Sequence, residues 1–154
     1  MNTLDKQVIE DLVRKIIAEK IGNTPQNEMF SRRDESGVIS VQLPTVKVAE
    51  TDRLNTGKQE DIVYCKDIFS LEESPRLGCG IMEMKETTFD WTLNYDEIDY
   101  VIEGKLEVII DGRKVSAQAG EIILIPKGTK IQFSVPEYAR FMYVTYPADW
   151  ASQA

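Results

Sequence analysis

The chain has 154 residues, a formal net charge of −8 and no histidine. That length suits one domain with a substantial core. The acidity argues against nucleic-acid binding, which needs a positive surface, and the missing imidazoles exclude the ordinary catalytic triads and the commonest transition-metal ligand. The charge is uneven: residues 1–60 hold nine basic and ten acidic groups, residues 61–154 nine and sixteen. No segment approaches the roughly 20 apolar residues that span a bilayer, and the polar N-terminus lacks a secretory pattern, so neither membrane contact nor export is expected. Cys65 and Cys79 have no metal-ligand spacing and read as free, buried or partly buried thiols.

In chain order, Asn2 or Thr3 can cap a helix whose Leu4, Val8, Ile9, Leu12, Val13, Ile16 and Ile17 recur at three- and four-residue steps. Ile21-Gly22 ends it and residues 23–27 form a breaker-rich linker. A single amphipathic helix is marginal in water, so it either packs on its own domain or across a dimer, or docks into a partner as a targeting peptide. Residues 1–27 are therefore read as helix and linker and residues 28–154 as the main domain. Residues 28–36 read as loop, and short strands are expected at 38–43, 46–48 and 62–65. From Leu77 the strand density rises. Gly78 and Gly80 suggest a close backbone approach or a bend, strands follow at 96–103 and 105–110 about a turn at Gly104, and Asp111-Gly112 is a type I′ hairpin signal. Further strands are expected at 114–119, 121–125, 130–135 (ending at Pro136) and 140–146, with Trp150 anchoring the tail. Many short strands, glycine and proline punctuation and one helix predict an all-β antiparallel sandwich or small barrel.

The stretch from Tyr95 to Gly104 raises the functional question. Its period-two alternation sets Glu97, Asp99, Val101 and Glu103 on one face and Ile98, Tyr100 and Ile102 on the other. Acids facing a dry core are costly, so they must face water, bind something or share protons. Glu103 is expected at a wet rim. Carboxylates two apart on a strand face lie about 6–7 Å apart, a separation that suits one oxygen-loving divalent ion. Without a metal, one of the two pKa values would rise.

The second half resembles the cupins. The first cupin motif ends in a glutamate and a glycine with six residues between them, matched by Glu97 and Gly104; the second reads glycine, five residues, proline, one residue, glycine, matched by Gly120, Pro126 and Gly128. The family's histidines would fall near 91 and 93, or 90 and 92 with the longer spacing, and at 131, where Asp90, Trp91, Thr92, Leu93 and Ile131 stand. Of the usual ligand set only the glutamate remains, so no histidine-ligated transition metal is expected. The runs 89–104, 119–128, 131–134 and 139–150 are similar to the ethanolamine-utilisation cupins, the EutQ-like family. That resemblance implies a cupin-type double-stranded β-helix (jelly roll), a homodimer, and a cytoplasmic location with the bacterial microcompartment, whose shell or core enzymes the N-terminal helix would dock as an encapsulation peptide. It also implies acetate kinase activity, forming acetyl phosphate from acetate and ATP with Mg²⁺. Catalytic roles would then fall to Glu97, Asp99 and Tyr95, metal binding to Glu97 and Asp99, and substrate binding to Tyr100, Lys127, Arg140 and Tyr143. The alternative is a non-catalytic structural or adaptor cupin that docks shell or core enzymes.

Overall fold

The structure, a computed structural model, describes residues 29–153; the expected helix over residues 4–21 and its linker lie outside these. The chain divides into two compact units, meeting at Lys47 and Val48. In the first, β1 (Ser31–Arg33) and β2 (Ile39–Val41) form a small antiparallel hairpin. Its ends are tied where the backbone N–H of Phe30 donates to Thr45 Oγ1 at 2.8 Å. Residues 46–48, expected as a strand, follow a short 3-10 turn and are not part of a strand.

The second unit is the main β body. It contains β3 (Ile62–Asp67), β4 (Gly78–Thr92), β5 (Asp96–Ile110), β6 (Arg113–Gln118), β7 (Ile122–Ile125) and β8 (Lys130–Tyr146), all antiparallel, in the order β3-β4-β8-β5-β6 with β7 also on β5. Three strands are far longer than the sequence suggests. Gly104 does not reverse the chain and Pro136 does not end a strand, because both fall where the ladders are already interrupted. Between β4 and β8 the register jumps across Glu86 and across Pro136–Glu137; between β5 and β8 it jumps from Gly104↔Ala139 to Glu107↔Ser134. Pro136, lacking an N–H, therefore costs no ladder bond. Gly104 takes φ +76° with its Cα against the Tyr138 carbonyl oxygen, which a Cβ would strike. Glu86, Pro136 and Gly104 thus mark one line along which three strands bend together as bulges.

That line divides the body into two halves. On one side β3, the start of β4, the end of β8, the start of β5 and β7 lie in order; on the other lie the end of β4, the start of β8, the end of β5 and β6. This is the double-stranded β-helix. Between the halves sits the core, including Met84, Phe89, Leu93, Val101, Leu106, Val108, Phe133 and Phe141. The Asp111-Gly112 hairpin is as expected, with φ of 49° and 75° at its two central residues.

Candidate functional site

β5 settles which way its alternating faces point. Asp96, Ile98 and Tyr100 face out, whereas Glu97 (5% exposed), Asp99 (0%) and Val101 point into the core. Register then places Thr145 beside Glu97 and Tyr143 beside Asp99 on β8. The interior therefore holds two neighbouring carboxyl groups and a hydroxyl. No protein donor reaches Glu97 Oε1 or either Asp99 oxygen, and Thr145 Oγ1 is likewise unpartnered. The two carboxyls lie within hydrogen-bonding reach of each other. A negative charge on one disfavours a charge on the other, so the buried pair resists double ionisation. Burial pushes Glu97 up to about 7. Asp99 is also raised, by burial first and by the Glu97 charge second.

Above Glu97 opens a cavity of about 10 Å³, room for one water-sized group. Its wall is aromatic: Phe89, Trp91, Tyr95, Phe133, Tyr143 and Trp150, completed by Leu54, Cys65 and Met82. Trp150 caps it, its ring centroid 6.5 Å from Trp91, 6.0 Å from Tyr95 and 6.1 Å from Tyr143. The polar edges of this wall are bonded to one another. Trp91 Nε1 donates to the Tyr95 hydroxyl at 2.8 Å, Cys65 Sγ to the Tyr143 hydroxyl at 3.3 Å, Tyr143 to Asp67 Oδ1 at 2.6 Å, and Trp150 Nε1 to the same oxygen at 3.2 Å. Burial pushes the Cys65 thiol up to about 12 and raises Tyr95 and Tyr143 as well, so all three hold their protons at neutral pH.

Gly80 makes room for this arrangement. A Cβ there would collide with the Tyr143 hydroxyl and would lie 2.5 Å from the Lys66 carbonyl oxygen. The close backbone approach expected at Gly78 and Gly80 is thus present, Gly78 abutting Thr145 Oγ1 and the Ala148 carbonyl oxygen.

The residues assigned to chemistry by resemblance divide into two groups. Glu97, Asp99, Tyr95 and Tyr143 come together on the inner face. Tyr100 stands 38% exposed on the outer face. Lys127 is exposed in the turn after β7, where its backbone N–H donates to Asp96 Oδ1 at 2.9 Å. Arg140, between the core residues Ala139 and Phe141, points to the face opposite them and pairs with Glu83. Glu103 is exposed, as expected of a rim residue. Cys65, Asp67, Thr145 and Trp150 belong to the site without having been singled out. Period-two alternation through Phe141, Tyr143 and Thr145 could have found Thr145; nothing local marks Asp67.

Magnesium fits this arrangement poorly. It requires about six oxygens in octahedral array and keeps several of its waters, whereas the cavity holds one water-sized group and its lining contributes one carboxyl, with the tyrosine hydroxyls already engaged. Among the described residues no group of three metal-ligating side chains converges. At the positions where cupin histidines would stand, Trp91 lines the cavity and Leu93 and Ile131 are buried core.

Comparison with known proteins gives the family. A family model described as ethanolamine utilisation protein EutQ matches residues 4–152. The acetate kinase EutQ of Clostridioides difficile (strain 630) is 70% identical over 154 residues, covering 99% of this chain and 98% of that protein. The acetate kinase EutQ of Salmonella typhimurium is 34% identical over 150 residues, with 96% of this chain but 64% of that protein covered. The solved structure of the Clostridium difficile EutQ protein superposes with a TM-score of 0.81 at 74% identity, over 82% of this chain and 92% of that one. No helix among the described residues is long and apolar enough to cross a membrane. A match of this length and identity, on the double-stranded β-helix described above, means that the chain belongs to the EutQ family of cupins, and family identity carries with it the cytoplasmic, microcompartment-associated location that the resemblance implied.

Proposed function

We propose that this chain is a non-catalytic cupin of the ethanolamine-utilisation microcompartment, a homodimeric adaptor that docks shell or core enzymes. One observation carries the reading: the outer face of β5 and β7 is apolar and open. Ile98 pairs across strands with Leu124 and Tyr100 with Ile122, and these four side chains are 44%, 64%, 38% and 66% exposed. A contiguous patch of this kind is a surface for a partner rather than for water. We assign it to a second copy of the chain, leaving the N-terminal segment for shell or core enzymes. The interior supports the same reading. Phosphoryl transfer needs positive charge on the phosphates, yet the cavity lining has no Lys or Arg, and Lys127 and Arg140 point elsewhere.

Two measurements test the proposal. Sedimentation velocity of the full chain is expected to show a dimer that Leu124→Lys splits into folded monomers; a wild-type monomer at the same concentration sinks the dimer. Residues 1–25 fused to a fluorescent reporter are expected to form foci in cells bearing assembled shells, whereas a diffuse signal sinks the docking assignment.

A second reading is favoured by the names of the relatives at 70% and 34% identity, both acetate kinases. Under it Glu97, Asp99 and Tyr95 act on acetate and ATP with Mg²⁺, and Tyr100, Lys127, Arg140 and Tyr143 bind the substrates. Acetyl phosphate formation trapped as the hydroxamate separates the two readings. Activity abolished in a folded Glu97→Gln/Asp99→Asn protein supports the kinase; equal trace activity in both proteins supports the adaptor and points to a contaminating enzyme.

A further inference from the structure

The cavity above Glu97 is specific in what it leaves open. Most donors on its aromatic wall are already committed: the indole N–H groups of Trp91 and Trp150, the Tyr143 hydroxyl and the Cys65 thiol all have acceptors within the protein, which leaves the Tyr95 O–H. What remains for a ligand, besides that hydroxyl, is the Glu97 carboxyl and the ring faces. Glu97 lines the cavity and its Oε1 has no partner in the protein; the Asp99 carboxyl and the Thr145 hydroxyl lie beside it on the same inner face, outside the cavity lining. The ring faces belong to Trp91, Tyr95, Tyr143 and Trp150, clustered with centroids 6.0–6.5 Å from that of Trp150. Open acceptors beside π faces are the complement of a small, hydrogen-rich cation.

We infer that the pocket binds a primary ammonium group, either the free ammonium ion or the head of a short amine, with Glu97 as its contact residue and Trp91 and Trp150 over its charge. Size and charge both agree with this. An –NH₃⁺ group is about as large as the water-sized space available. One carboxylate at Glu97 is neutralised by one monovalent cation. Asp99 is a positioning residue: it does not line the cavity, and its carboxyl acts on a ligand only through the neighbouring Glu97. Anions are disfavoured by the same carboxyls, and a hydrated divalent ion by the volume. The inference does not depend on the docking role proposed above, and its test leaves dimerisation and reporter foci unaffected.

The two tryptophans in the wall provide the readout. The full chain is titrated at constant ionic strength, sodium chloride being exchanged for ammonium, methylammonium, ethylammonium or tetramethylammonium chloride, with tryptophan emission and Tm recorded. Wild-type protein is expected to show a saturable emission change and a rise in Tm with ammonium or the primary amines but not with tetramethylammonium. Glu97→Gln and Glu97→Gln/Asp99→Asn, verified as folded by circular dichroism, are expected to bind at least tenfold more weakly. Saturation by ammonium alone assigns the free ion; saturation by methyl- and ethylammonium as well assigns an amine head. The inference is overturned by no saturable response in wild type, which leaves the cavity to water. An undiminished response in the folded variants, or saturable binding of Mg²⁺ in place of ammonium, overturns it equally.

Discussion

Replacing the interior acids with their amides, Glu97→Gln/Asp99→Asn, should make the protein more stable at pH 8 and change little at pH 4. In the unfolded chain both acids titrate near their ordinary values; in the fold burial raises both. The folded state then binds more protons than the unfolded state across the intervening range, so stability falls as pH rises. For Glu97 the window runs from 4.5 to about 7. At about 1.4 kcal/mol per pH unit this amounts to about 3 kcal/mol, with Asp99 adding to it in the same sense. Below the window both states are protonated and the difference vanishes; above it both are ionised and the loss is complete. With a urea dependence of about 2 kcal/mol per molar, the wild-type midpoint should fall relative to the variant's by about 1.5 M between pH 4 and pH 8. The side-chain amides can hydrogen-bond to each other, so the variant should retain the fold. Urea unfolding of both proteins at half-unit pH steps measures this directly. A constant difference between their midpoints would mean that the pair does not titrate in this window, and the upward shift of the two buried acids would have to be abandoned.

Other perturbations follow from the same geometry. Gly80→Ala should cost about 1–3 kcal/mol by overpacking, because the new methyl group meets the Tyr143 hydroxyl and the Lys66 backbone; an unchanged Tm would show that Tyr143 can move aside freely. Tyr143→Phe should cost about 1–3 kcal/mol, since it leaves the Cys65 thiol without its acceptor and removes a donor to Asp67, and an undiminished Tm would contradict those bonds. Glu107 titrates in the opposite sense. Lys105 at 2.7 Å and Lys114 at 2.6 Å hold its carboxyl below the usual range, so its contribution is present above the ordinary carboxyl value and is lost as pH falls through the lowered one. Glu107→Gln should therefore flatten the acid side of the stability profile and leave the alkaline side alone, which thermal melts from pH 2 to pH 8 would check.

Much of this fold is legible in the alternation of the chain. The strands of the cupin body, the Asp111-Gly112 hairpin and the tight approach at Gly78 and Gly80 follow from local chemistry. The continuity of β4, β5 and β8 does not, because Gly104 and Pro136 act as local breakers and only the neighbouring strands, interrupted at the same level, allow the chain to run through. Alternation also groups Glu97 with Asp99 without choosing the face. Tyr100 shares the outer face with its register partner Ile122, and Arg140 lies on the face opposite its core neighbours Ala139 and Phe141. The cap over the pocket is a contact between residues far apart in sequence, Trp150 with Trp91 and Asp67, for which no short-range signal exists.

The first half of β5 is built against ordinary transfer energetics. Over Glu97, Ile98, Asp99 and Tyr100 the acids are inside and the apolar side chains outside. A one-residue slip would reverse all four, placing Ile98 and Tyr100 in the core and the carboxylates in water, each on its preferred side. The slip is blocked by what lies further along: Val101 shares the inner face with the acids, and Leu106 and Val108 are buried beyond the Gly104 bulge in fixed register with Ala117 and Val115. The rest of the strand therefore holds these four residues in an arrangement that they would not adopt alone. Local conflict of this kind within an otherwise consistent chain marks a site under functional constraint. In the proposed roles a different partner relieves each conflict: a cation for the acids within, an apolar surface for Ile98 and Tyr100 without. One short segment of strand thus presents both the ligand site and the docking face, on opposite sides of a single backbone.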